Sequence, residues 1–158
     1  MKQGMFGINA QKKTAHLLSD GTAKFNTTNL STVALAIARL LSLPVTSTSG
    51  ASLSDYGDRL VYISSFLVSQ REILDAVQHV TGTTDQDWTV TSVDGQKYYE
   101  EGEAKLAAGD FSGMVNLLMG AVMKGDMGGD YENVKGVSNK VLGLLKEDLE
   151  EAVRAALK

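Results

Sequence analysis

Apolar positions along the chain follow two periods, and these separate strands from helices. Leu60, Val61, Tyr62 and Ile63 form an unbroken apolar run, the pattern of a strand covered on both faces. Ser64, Ser65 and Phe66 then lead off its carboxyl end. Ser69 is placed to cap a helix, because its hydroxyl can accept from an orphaned backbone N–H. Glu72, three residues on, completes a capping box, and Val68 with Ile73 supplies a hydrophobic staple. Ile73, Leu74, Val77 and Val80 mark one face of this helix, and Gly82 ends it.

The rest of the chain repeats that alternation. Residues 14–18 and 23–28 read as strands of a hairpin about the turn Ser19-Asp20-Gly21. Thr28 or Asn29 can cap a helix whose buried face is Leu30, Val33, Ala34, Ile37, Leu40 and Leu41, and Pro44 stops it. Residues 45–58 carry no period and read as a long surface loop. Residues 88–93 alternate and are β-branched, hence a strand. Asp94 caps a helix over 96–108 with Tyr98, Tyr99, Gly102 and Leu106 inward. Asp110 caps another over 111–124, apolar around most of its circumference and so expected to be covered by core or partner. A closing helix over 146–157 turns Leu149, Ala152, Val153, Ala156 and Leu157 inward.

Length and charge narrow the class. The 158 residues suffice for one domain with a real core, and a net charge of −4 argues against nucleic acid or an anionic membrane as partner. The chain has no cysteine, which excludes disulfides and thiolate chemistry. No apolar run approaches the roughly 20 residues of a membrane helix, and the opening MKQGMFGINAQKK lacks the apolar region of a secretory signal. A cytoplasmic location is the expectation.

Candidate chemistry is sparse. Gly4, Gly7 and Ala10 are spaced like a dinucleotide fingerprint, but that motif needs a strand before it and a helix after it, so a plain loop or a frayed helix is expected. The acidic glycine stretch 125–131 reads as a linker. His16 and His79 lie far apart, with no second ligand at metal spacing. Tyr62, Tyr98 and Tyr99 could donate protons, yet none of them opens a Tyr-x-x-x-Lys pair: Phe66, Gly102 and Glu103 stand four residues on. Carboxylate runs such as Glu100–Glu101–Glu103 read as solvated helix faces.

Four segments together carry a family resemblance: KFNTTNLSTVALAIARLL (24–41), VYISSFLVSQREILDAVQHVTG (61–82), GEAKLAAGDFSGMVNLLMG (102–120) and VLGLLKEDLEEAV (141–153). Their order and spacing resemble the carboxyl-terminal half of NmrA-like proteins, the isoflavone-reductase-like branch of the atypical short-chain dehydrogenases. The resemblance implies an α/β fold: a partial Rossmann-like (NmrA-like) sheet with a carboxyl-terminal helical substrate subdomain. Residues 1–158 would be the carboxyl-terminal part of such a domain, and the Rossmann cofactor half would be absent. It implies an NAD(P)H-dependent oxidoreductase, with NADPH as the cofactor and a small-molecule substrate once a Rossmann half completes it. The phosphate-binding glycines and catalytic lysine have no counterpart here, so the isolated chain is expected to bind no NADPH and to be inactive. The alternatives are a non-catalytic dinucleotide- or protein-binding regulatory module, and a truncated product without activity. By the same resemblance Met5 and Phe6 would line a substrate pocket. Phe25 and Asn26 would sit at one strand end near it, and Ser65 and Phe66 at another. No catalytic residue or metal ligand is assigned. A split sheet edge and the apolar helix 111–124 would favour self-association.

Overall fold

A computed structural model describes residues 5–125 and 128–158, with Met5 described in its backbone alone. In chain order the elements are β1 (Ile8–Asn9), β2 (Thr14–Leu18), β3 (Phe25–Thr27), α1 (Leu30–Leu41), β4 (Phe66–Val68), α2 (Gln70–Thr81), β5 (Thr89–Val93), α3 (Gly95–Ala107), α4 (Gly113–Met123), α5 (Tyr131–Lys135) and α6 (Leu149–Leu157). The class is α/β with a small mixed sheet: β2 runs antiparallel to β1 and parallel to β5. A two-stranded sheet joins β3 and β4. The chain divides into two compact units. Unit 1 is Met1–Phe25, Val68–Gly129 and Asp148–Lys158; unit 2 is Asn26–Leu67 and Asp130–Glu147.

Unit 1 is built from regular elements. At the start of α2, Ser69 Oγ accepts the Glu72 N–H and Glu72 Oε2 accepts the Ser69 N–H at 2.8 Å, the capping box expected from sequence. Ile73, Leu74 and Val77 are buried beneath it. Helices α3 and α4 pack backbone to backbone. A Cβ on Gly102 would lie 2.9 Å from the Gly113 carbonyl oxygen, and one on Gly113 would lie 2.5 Å from that of Gly102. Only glycine permits so close an approach.

Unit 2 is held differently. Its small apolar cluster joins Ala36, Leu142 and Leu144 to the half-buried Leu40, Leu43, Val61 and Ile63. Around it, polar side chains and one backbone amide take up backbone groups of residues 62–64. The Tyr62 carbonyl accepts from the Ser138 N–H, and the Ile63 carbonyl from Tyr131 Oη at 2.6 Å and Thr28 Oγ1 at 3.2 Å. Asn139 pairs with both the N–H and the carbonyl of Ser64.

Several sequence expectations change here. Residues 60–63 are not a strand. The Tyr62 carbonyl is bonded by the Ser138 amide and the Ile63 carbonyl by side chains, rather than by a neighbouring ladder, and Leu60 is 80% exposed. The strand begins at Phe66, so Ser64 and Ser65 enter β4 rather than leave a strand's carboxyl end. The Ser19–Gly21 turn forms, but it joins no hairpin: β2 pairs with β1 and β5, while β3 pairs with β4. Helix α1 has the expected span with its buried face turned: of the expected inward positions, Val33 and Leu40 are half-buried. Thr32 and Ala36 are buried, whereas Leu30, Ile37 and Leu41 are exposed, because Thr32 Oγ1 is drawn in to donate to Glu147. The apolar helix begins at Gly113, and Phe111 before it and Met114, Val115 and Leu118 along it remain exposed. The last helix begins at Leu149, capped by Asp148, whose carboxylate accepts the Glu151 N–H. Within the expected linker, Asp130 caps the short α5, and Asp126 lies outside the described residues. After Gly7 the chain forms β1 rather than an unstructured loop.

Candidate functional site

A cavity of about 690 Å³ lies within unit 1. That is within the roughly 300–1,000 Å³ typical of small-molecule sites. Each wall follows from the periodicity of one element. On β2, His16 and Leu18 are two apart and share a face. On α3, Tyr98 and Glu101 are three apart, and on α4, Val115, Met119 and Met123 repeat every four, so each set forms one row. Val93 closes the end of β5, Gln70 opens α2, and Phe6 and Gly7 supply the turn before β1. The walls are mainly aliphatic, thioether and aromatic, with four polar side chains among them.

Two of those polar groups are already engaged. His16 Nδ1 lies 2.7 Å from Thr91 Oγ1, which leaves Nε2 as the ring nitrogen to meet a ligand. Gln70, 2% exposed, accepts the Leu18 N–H at 2.8 Å and donates from Nε2 to the carbonyls of Phe6 at 2.8 Å and His16 at 3.2 Å. Tyr98 and Glu101 contribute a phenol and a carboxylate. The arrangement can enclose a largely apolar ring system and offer it an imidazole nitrogen, a hydroxyl and a carboxylate.

The residues expected from sequence are placed as follows. Phe6 lines this cavity, and its ring centroid lies 5.7 Å from that of Phe25. Phe25 is buried behind it, 1% exposed, and is not itself a lining residue. The Met5 side chain lies outside the described residues. Asn26, Ser65 and Phe66 belong to unit 2. There Asn26 donates to Ser64 Oγ at 2.8 Å and Glu132 Oε2 at 2.9 Å, and it accepts the Glu132 N–H. Ser65 donates to Glu147, whose carboxylate also accepts from Thr32 Oγ1 and, at 2.6 Å, from Asn29 Nδ2. Burial pushes the Glu147 carboxyl up, and these three hydrogen bonds outweigh it and hold the group below its ordinary value. Glu72 is treated alike: burial raises it, while Lys24 and the Ser69 cap bring it below the ordinary range.

Sequence reasoning passed over His16 as a cavity residue, read Glu101 as part of a solvated helix face, and singled out none of Gln70, Met119 and Met123. The four-residue spacing of Val115, Met119 and Met123 was the available signal. It resembles any buried helix face until α3 is placed beside it.

The described residues do not fit a dinucleotide diphosphate at the opening glycines. Gly7 is followed by β1 and then β2 rather than by a helix, and a Cβ at Gly7 would meet the His16 carbonyl oxygen at 2.3 Å. Gly4 lies outside the described residues. Among the described residues no group of three or more His, Asp or Glu side chains could hold a metal ion, and no helix is long and apolar enough to cross a membrane.

A solved structure shares this sheet-and-helix arrangement. The crystal structure of an NADPH-dependent quinone oxidoreductase from Escherichia coli superposes with a TM-score of 0.56 at 12% identity, over 99% of this chain and 50% of that one. In sequence the chain is similar to two fungal proteins. It is 25% identical over 156 residues to oxidoreductase aprR of Aspergillus flavus, which covers 99% of the chain and 48% of that protein. It is 28% identical over 158 residues to oxidoreductase poxI of Penicillium oxalicum, covering 97% and 46% respectively. The chain thus spans about half the length of the curated relatives it matches. No family model matches it.

Proposed function

We propose that this chain is the substrate-side portion of an NADPH-dependent oxidoreductase of the NmrA-like, isoflavone-reductase-like kind. Its unit 1 cavity holds a neutral aromatic carbonyl, enone or quinone. The observation that carries the reading is the cavity itself: a hollow of ligand size, walled by Phe6, Tyr98, Val115, Met119 and Met123, with few polar groups. The similarity to two named oxidoreductases and the fold shared with a quinone oxidoreductase supply the reaction class. Nicotinamide chemistry would come from residues that supply the missing phosphate cradle, and no step of it is assigned to this chain.

The test is a titration with menadione, a neutral bicyclic quinone that cannot form a thiol adduct with a chain lacking cysteine. Saturable binding is expected with a Kd of roughly micromolar order, abolished when Met119→Trp fills the hollow. Absence of saturable binding, or binding undiminished in Met119→Trp, contradicts the reading. NADPH is expected to show no binding to the same chain by calorimetry, and micromolar affinity would overturn that.

A second reading, a binding module without turnover, is favoured by the misfit of the opening glycines to a diphosphate. An in-frame glycine fingerprint after an apolar strand in the upstream coding sequence would decide for the enzyme. Self-association through the open face of α4 belongs to the first proposal. Light scattering should show a species larger than the monomer, and a clean monomer at working concentration would refute it.

A further inference from the structure

Phe6 combines three features that occur together nowhere else among the described residues. Its backbone is left-handed, with φ 58° and ψ 24°. Its ring is a wall of the cavity. Its carbonyl is held by a buried carboxamide whose two donors are both spent on backbone oxygens, those of Phe6 and His16. A bulky side chain rarely adopts positive φ, and such a conformation persists where surrounding contacts over-determine it. Here the contacts can be named. Gln70 Nε2 ties the Phe6 carbonyl to the same donor group that holds the β2 backbone at His16, and Gln70 Oε1 anchors the carboxamide on the Leu18 N–H. Gly7, at φ 76°, is pressed against the His16 carbonyl with no room for a Cβ. The ring then rests on Phe25.

We infer that Gln70 is a positioning residue: it fixes Phe6 as the wall that sets which size of aromatic ring system the cavity admits. This rests on the cavity being the ligand site. Gln70 has no donor left for a ligand carbonyl, so its influence on binding passes through Phe6. Without that tether the turn relaxes toward negative φ, the ring leaves the wall, and the hollow accepts larger ligands and grips small ones less.

The experiment compares menadione with the longer N-phenyl-1-naphthylamine on the full chain and reads the ratio of their Kd values. A mere loss of folded protein does not move this ratio. Gln70→Glu keeps the acceptor for Leu18 and removes both donors; Phe6→Ala removes the wall directly. Each is expected to shift the ratio about tenfold toward the larger ligand, the scale on which apolar pockets discriminate size. The double variant should shift it no further than either alone. An unchanged ratio in Phe6→Ala, or additive shifts in the double variant, overturns the inference. If Gln70→Glu does not fold, Gly7→Ala, which displaces the same turn, takes its place with the same expected shift. If the wild-type chain binds neither probe, or Met119→Trp leaves both bound, the cavity reading fails and the inference with it. If Met119→Trp abolishes binding while the ratio never moves, only the inference fails.

Discussion

In unit 1 the backbone is paired by regular helices and by the β1-β2-β5 ladder, and side chains are free to enclose a hollow. In unit 2 the backbone of residues 62–64 is paired by Thr28, Tyr131 and Asn139 side chains and by the Ser138 N–H, and the carboxylates of Glu132 and Glu147 gather hydroxyls and amides. The difference concerns what side chains are left to do. Where the main chain satisfies itself, apolar side chains can line a cavity. Where it cannot, polar side chains are consumed in holding it. Asn26 and Ser65, expected from the resemblance to touch substrate, are engaged in that second task.

Substitutions should separate the two modes. The largest effect is expected for Gly102→Val, which forces α3 away from α4. Overpacking of this kind costs about 3 kcal/mol, and a fall in thermal midpoint should come with loss of menadione binding, because both helices line the hollow. A midpoint unchanged from wild type would break the account of unit 1. Next comes Glu147→Ala, which leaves the Thr32, Ser65 and Asn29 donors without their acceptor, at about 2 kcal/mol. Hydrogen exchange should quicken at the amides of Ser64, Ser65, Leu142 and Leu144 while those of α2 keep their protection. Uniform loss across both units would contradict the contrast.

Acid offers the same test without mutation. The folded-state value of Glu147 lies below its ordinary 4.5, so its contribution is fully present above that value and fades as pH falls through the folded one. Protection at Ser64 and Ser65 should therefore decline below about pH 4.5, and less steeply in Glu147→Gln. A smaller effect, about 1 kcal/mol, is expected for Ser69→Ala, which removes one half of the α2 capping box and should appear as a modest drop in denaturant midpoint. Smallest is Arg71→Ala, which loses exposed pairs to Asp75 and Asp85 and should change stability by about 0.5 kcal/mol or less. A larger loss would show that these surface pairs matter more to unit 1 than its packing.

What could be read from sequence was local. The α2 box and the Asp94 cap of α3 lie within three residues of their partners, and both are present. The face of α1 could not be read, because Glu147, which draws Thr32 inward, lies 115 positions along the chain. The apolar run 60–63 misled for a related reason. Val61 and Ile63 pack half-buried beside Leu142 and Leu144, and the partners of the backbone come from residues 28 and 131–139. The cavity is assembled from a turn and five further elements, and no single stretch announces it.

The central claim is that the hollow between α3, α4, β2 and the Phe6 turn receives an aromatic ligand. Methionine methyl spectra of the chain, with the ε-carbons labelled, read it residue by residue. On titration with menadione, the Met119 and Met123 methyls should shift together and saturate, while that of Met114, on the open face of α4, stays in place. A spectrum in which Met114 moves and Met119 and Met123 do not, or in which none responds, would contradict the account.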